Sequence, residues 1–215
     1  MKILVSVFNN LYTDQRVEKF CKTLHENAYQ IEVIGNNWGG NPEMKRPYPF
    51  SRISLQSKKL RFAYLEFQWK LFFELLKKAD RNTILHANDL DALLPNYLVS
   101  KIKGIPLVWD SHEIFTEMPT VTNRWVQHVW RLLENALIRK IKYFITANDS
   151  YANWFETNYK IKRPIVIRNF PQKSESPKSF VENHPKIILY QGTINYSRGI
   201  DKMIEAMQFI ENAEF

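Results

Sequence analysis

Short runs of apolar and β-branched residues alternate along this chain with longer segments at helical spacing, and most joints between them are only a few residues long. Ile3 to Phe8 opens the pattern as a continuous apolar run with Ser6 as its only polar break, which predicts a strand buried on both faces. Thr13 to Ala28 follows, with Val17, Phe20, Cys21, Leu24 and Ala28 at helical spacing and Thr13 or Asp14 available as cap. Ile31 to Ile34 reads as a second strand. Strand, helix, strand with short joints is a βαβ unit, whose crossover is right-handed almost without exception.

The alternation continues through a strand at Ile84 to Ala87, a helix at Asp91 to Lys103 ending on Gly104, and a strand at Pro106 to Trp109. Next come a helix at Arg124 to Ile141, a strand at Tyr143 to Ala147, a helix at Ser150 to Tyr159 and a strand at Ile165 to Ile167. One more strand is expected near Ile53, between an irregular stretch and an aromatic helix at Arg61 to Ala79. Seven strands alternating with helices predict an α/β fold, a Rossmann-like doubly wound parallel sheet. That first domain is expected to span residues 1–169, with a proline-punctuated polar linker over 170–185. Residues 186–215 then hold a strand at Ile187 to Tyr190, a loop to Gly199 and a helix at Ile200 to Glu211. One strand and one helix cannot bury a core, so they read as the truncated start of a second α/β domain.

Composition narrows the classes. Hydrophobic residues make up 45% of the 215, no run of eighteen apolar residues occurs, and no basic-then-apolar leader is present, which argues against disorder, a membrane span and a secretory signal. A cytoplasmic location is expected. The lone cysteine, Cys21, can form no internal bridge. A net charge of +8 and a pI near 9.4 point to an anionic partner. Lys and Arg are scattered instead of forming one dense arm, so no nucleic-acid partner is expected.

Ligands of open α/β sheets lie outside the carboxyl ends of the strands. Three such ends carry polar clusters: Asn9, Asn10, Asp14 and Arg16; then His86, Asn88, Asp89 and Asp91; then Asp110, Ser111, His112 and Glu113. Each loop taken alone could simply make turns and cap the next helix. Together they suggest one functional edge. Metal-dependent hydrolysis through His86, Asp89 and His112 is one reading of the ligand types, without an HExxH or HxH spacing to support it. Nicotinamide binding is disfavoured, because the loop after the first strand lacks GxGxxG and Asp14 would repel a phosphate there. Further on, Tyr190 to Gly199 runs from strand to helix with Gly192 and Gly199 at its ends. With Arg198 beside the helix start, it could cradle a diphosphate.

The succession Thr13-Asp14-Gln15-Arg16-Val17, His86-Ala87-Asn88-Asp89, Trp109-Asp110-Ser111-His112-Glu113 and Tyr190-Gln191-Gly192 to Arg198-Gly199-Ile200-Asp201 resembles glycosyltransferase family 4, the retaining GT-B group, over essentially the whole chain. The resemblance implies two Rossmann-like domains facing a cleft, the first holding the acceptor and the second the nucleotide-sugar. It implies that His112, the catalytic candidate, lies near the donor sugar. It likewise implies that Arg198 meets the donor diphosphate and that Asn9 and Asn10 occupy the loop facing the donor phosphate. Asp14, Arg16, His86, Asp89, Asp110 and Glu113 are expected to shape the acceptor-side cleft. Thr193 departs from the arginine many relatives carry after the glycine, and the later Glu-x7-Glu motif is absent.

The expected activity is hexose transfer, with retention, from a nucleotide-diphosphate sugar to a glycan or lipid-linked acceptor in polysaccharide biosynthesis, without cofactor or metal. The 215 residues alone are expected to be inactive. A non-catalytic acceptor-binding or membrane-docking module is the rival. The aromatic helix at 61–79 carries apolar residues on more than one face beside Arg61, Lys70, Lys77 and Lys78. Such a helix is either a core helix with snorkelling lysines or one that meets an anionic membrane surface.

Overall fold

The structure, a computed structural model, describes residues 1–40, 42–171, 185–192, 194 and 198–215. The chain divides into two compact units, Met1–Asn169 and Phe170–Phe215. Most of the expected linker, 172–184, lies outside the described residues.

In the first unit the elements run β1 (Lys2–Ser6), α1 (Gln15–Glu26), β2 (Gln30–Asn36), β3 (Phe50–Ile53), α2 (Leu60–Lys78), β4 (Thr83–Asn88) and α3 (Asp89–Lys103). They continue with β5 (Leu107–Ser111), α4 (Trp125–Leu137), β6 (Tyr143–Thr146), α5 (Asp149–Tyr159) and β7 (Ile165–Val166). The seven strands form one parallel sheet in the order β3-β2-β1-β4-β5-β6-β7. Strand order reverses between β1 and β4, and a crevice at the carboxyl ends of these strands is where such sheets bind ligands.

Alternation along β1 explains its apolar run. Leu4 packs on the face covered by α2 and α3, whereas Ile3 and Val5 pack with Val17 and Cys21 of α1 on the other. Burial also pushes the Cys21 thiol up to about 12, Asp14 adding to the effect, so it stays a protonated core residue. The loop after β1 folds tightly onto the end of β2. Asn36 donates its backbone N–H to the Asn9 carbonyl at 2.7 Å. A Cβ on Gly35 would stand 2.6 Å from that same oxygen and 2.5 Å from Leu11 Cγ, so only glycine fits.

Helix ends follow their chemistry. Asp14, not Thr13, caps α1 by accepting from the Val17 N–H at 3.0 Å. Gly104 ends α3 in the left-handed region at φ +65°. The expected helix over Arg124 to Ile141 is shorter: α4 stops at Leu137 and a single 3₁₀ turn, Ile138–Lys140, leads toward β6.

The second unit differs from expectation. Its strand β8 covers only Lys186–Ile187, α6 is Ile200–Ala206 followed by a 3₁₀ turn at Met207–Phe209, and a further strand β9, Ala213–Glu214, pairs parallel to β8. Asn212 takes φ +58°, and its carbonyl accepts from Lys186 N–H, so the chain leaves the helix early to complete a small βαβ turn.

Candidate functional site

The site begins with Ser6, the polar break in β1. Its carbonyl accepts from Asn88 Nδ2 at 3.1 Å and its hydroxyl from Asn96 Nδ2 at 2.6 Å, all in the interior. That donation fixes the Asn88 amide with its oxygen turned outward, where Oδ1 meets His112 Nε2 at 3.1 Å. Asp89 grips the same histidine from the other side. Its Oδ1 accepts from the His112 backbone N–H at 2.8 Å, and its Oδ2 lies 3.3 Å from His112 Nδ1. To do this Asp89 adopts φ +59°, a left-handed conformation that strains a residue with a Cβ, while its carbonyl accepts from Trp109 Nε1 at 3.2 Å.

Both ring nitrogens of His112 thus face oxygen acceptors, with Asp110 Oδ2 3.6 Å from Nε2. Burial alone would lower its pKa, but the carboxylates of Asp89 and Asp110 outweigh burial and raise it to about 9. The ring is an imidazolium at neutral pH and keeps 15% of its side chain open to solvent. It offers a ligand positive charge and cannot act as a base there. Asp91, in the first turn of α3, is buried, and burial followed by the neighbouring Asp89 carboxylate raises its pKa well above the carboxylate range.

Beneath this edge Arg16 reaches from α1 to make two bonds to Asp110, Nη2 to Oδ1 at 2.7 Å and Nε to Oδ2 at 3.2 Å. Its Nη1 donates to the Ile167 carbonyl at 2.7 Å, which ties β5, α1 and the end of β7 together. Arg16 and Asp110 were expected to shape an open cleft. They are instead a buried pair, Asp110 being 1% exposed, and they support His112 from below.

His86 also departs from expectation. It sits two residues before the end of β4 on the face toward α1, 2% exposed, with its ring 4.5 Å from that of Phe20 and neither nitrogen hydrogen-bonded. Burial lowers its pKa to about 4, the opposite of His112. It lines no surface.

Asn9, Asn10 and Asp14 form a local turn: Asn9 Nδ2 donates to Asp14 Oδ2 at 3.2 Å, and Asn10 Oδ1 accepts from the Tyr12 N–H at 3.0 Å. Glu113 is exposed, and its carbonyl accepts from the Ser111 hydroxyl at 2.8 Å. Among the described residues no group of three or more His, Cys, Asp or Glu is placed to hold a metal ion. In the second unit Arg198 is exposed, and Gly199 takes φ +66° ahead of α6. A Cβ on Gly192 would come within 2.9 Å of the Tyr190 hydroxyl. Thr193 lies outside the described residues. The residues whose part the sequence left unassigned are Ser6 and Asn88; a polar residue inside an otherwise apolar buried strand was the available signal for the first.

Comparison with solved structures finds the same fold at low identity. Sucrose-phosphate synthase from Thermosynechococcus elongatus superposes with a TM-score of 0.70 at 12% identity, covering 99% of this chain and 61% of that one. The lipopolysaccharide outer core galactosyltransferase WaaB, in its apo form, gives 0.62 at 11% identity, covering 100% and 59%. Os79 from O. sativa in complex with UDP gives 0.56 at 11% identity, covering 91% and 60%. The chain therefore spans less than two thirds of the length of each of these relatives. No curated protein matches it. These likenesses establish a GT-B Rossmann-like N-terminal fold, and the family model of Glycosyltransferase Family 4 matches residues 14–170, most of the chain. The chain belongs to Glycosyltransferase Family 4.

Proposed function

We propose that this protein takes part in moving a hexose, with retention at the anomeric carbon, from a nucleotide-diphosphate sugar to a glycan or lipid-linked acceptor in polysaccharide biosynthesis at the cytoplasmic side. Residues 1–169 take the acceptor. Residues 186–215 begin the donor side, where Arg198, Gly192 and Gly199 serve the diphosphate; Asn9 and Asn10 are the donor-binding residues of the first unit. No cofactor is invoked, because fixed cations can carry the charge that develops on the leaving group.

The observation that carries this reading is His112, held as a cation between Asp89, Asn88 and Asp110 at the carboxyl edge of the sheet while part of its ring stays open. A fixed, largely desolvated cation favours the oxygen-rich, negatively charged sugar diphosphate, most strongly where bond breaking adds charge. Asp89 acts through the histidine as a positioning residue. Asp14 and Glu113 shape the acceptor side, while the buried Arg16–Asp110 pair supports the histidine from below. Support for the donor class comes from Os79, whose structure holds UDP.

The test is a transfer assay on the protein as its gene encodes it, across a panel of nucleotide-diphosphate sugars. His112→Ala is expected to lower kcat about 100-fold or more, the scale for removing one group that stabilises developing charge. Because the pKa of His112 is raised, its charge is present at neutral pH and lost as pH rises through about 9. Transfer should decline over that range, and Asp89→Asn should move the decline to lower pH. Full activity in His112→Ala would refute the assignment.

A further inference from the structure

Helix α2 has two apolar faces. Ala63, Phe67, Leu71 and Leu75 are buried against the sheet, as a core helix requires. On the opposite side Phe62, Leu65, Trp69 and Phe73 are exposed. They do not stand alone. Leu98 and Ile102 of α3 and Trp125, Val129 and Leu132 of α4 are exposed too, and the three helices frame an apolar groove of about 970 Å³ floored by Pro95 and Trp130. Trp69 and Trp125 are each 68% exposed. Soluble chains rarely leave so much contiguous apolar surface to water.

The charges around this face have one sign. Arg61 lies over the Phe62 ring at 4.8 Å, Lys77 follows Phe73 at helical spacing, Lys101 lies beside Leu98 and Ile102, and Arg124 precedes Trp125. Among the described residues none of these four cations pairs with a carboxylate. The acids of the same helices are turned away or already occupied. Glu66 is bound by Lys70 and Ser57, Glu74 lies beside Lys78, and Glu134 is buried. Asp89 and Asp91 sit at the far end of α3, in the candidate site.

We propose that the α2–α3–α4 face docks on an anionic lipid bilayer, lying in its interface with Trp69 and Trp125 at headgroup depth and the four cations against lipid phosphates. Aromatic side chains with polar tips and long basic side chains are the groups that partition to that depth, and each nearby cation adds about fivefold to binding on an anionic leaflet. No helix among the described residues is long and apolar enough to cross a membrane. Tyr64 connects the face to the site: it lines the groove, its ring lies 5.5 Å from that of Trp130, and on its other side it lies 4.4 Å from the ring of Phe8, which follows β1 at the edge of the sheet. Docking would therefore bring the edge that carries His112 toward the bilayer surface, where a lipid-linked acceptor resides.

Vesicle flotation of the 215-residue chain tests this without any transfer reaction, so its failure and the failure of the sugar-transfer reading are distinguishable. Binding is expected to vesicles of phosphatidylcholine doped with phosphatidylglycerol at low salt, and to be at least tenfold weaker on phosphatidylcholine alone. Arg61→Glu with Lys101→Glu should reduce it by tenfold or more while leaving the exposed apolar face intact. Trp69→Glu with Trp125→Glu, both surface positions, should abolish it. Acyl-brominated lipid should quench fluorescence in the parent, and less in the variant with Phe at both positions. Absence of binding at low salt, quenching unchanged by the double Phe substitution, or burial of the face by dimerisation seen in analytical ultracentrifugation would each overturn the proposal.

Discussion

Asp110, at the edge formed by β4 and β5, and Glu134, on the buried side of α4, are both buried carboxyl groups, and they behave in opposite ways. Burial works to raise both. At Asp110 it is overcome by His112 and by Arg16, whose guanidinium makes two bonds to it, and the carboxyl is held at about 2. At Glu134 the partners are neutral or distant. The Tyr159 hydroxyl donates to Oε2 and Thr116 lies at 3.4 Å, but no cation is bonded to it, and burial raises it to about 7. Depth alone does not decide whether a charge persists inside this domain. A counter-charge within bonding distance does.

Breaking the matched cluster has the largest expected effect. Arg16→Ala leaves Asp110 ionised with only His112 beside it and frees the Ile167 carbonyl, and removal of one partner from a buried pair costs about 3–5 kcal/mol. Urea unfolding at neutral pH should show that loss with an unchanged slope. A loss below about 1 kcal/mol would mean that water already screens the pair.

Glu134 probes the unmatched case. Its folded pKa lies above its ordinary value of 4.5, so the folded state binds the extra proton, and stability falls as pH rises from that value through about 7. Glu134→Gln keeps, in its amide oxygen, the acceptor that Tyr159 and Thr116 share. It should match the parent near pH 4.5 and exceed it by about 2–3 kcal/mol above pH 8. Equal stability at both pH values would show that the carboxylate finds compensation from Arg131, which binds Glu117 nearby at 2.8 Å.

The two clusters also mark how far the sequence could be read. The sheet was legible because each strand is a short run of apolar residues bounded by turn-forming ones, a pattern set by burial on both faces. The polar strand ends were legible for the same reason, since a parallel sheet collects them along one edge. What the sequence did not reveal was depth along a strand. His86 and Asn88 stand two residues apart on the same face of β4, yet Asn88 reaches His112 whereas His86 lies one step deeper beneath Phe20. Nor could it separate the two faces of α2, because alternating buried and exposed aromatics leave little amphipathic contrast. The second unit was misread at its end for another reason: two-residue strands such as β8 and β9 carry too few side chains to show any period.

His86 gives the smallest expected effect and sharpens the contrast most, because it stands beside Asp110 without bonding to it. Its two nitrogens have no partner, and an unmatched polar group in the interior contributes nothing that an apolar side chain of similar volume could not. Its folded pKa of about 4 lies below the ordinary 6.5. The unfolded chain therefore takes up the proton first, and the parent loses stability as pH falls from 6.5 toward 4. His86→Leu removes that dependence. At pH 8 it should lie within about 1 kcal/mol of the parent, and at pH 5 it should be more stable by about 1–2 kcal/mol. Sugar transfer should be unchanged, since the ring reaches no surface. A loss of transfer in this variant, with folding intact, would mean that His86 supports the Asp110–His112 pair electrostatically, and the matched cluster would then extend one strand layer deeper than its hydrogen bonds.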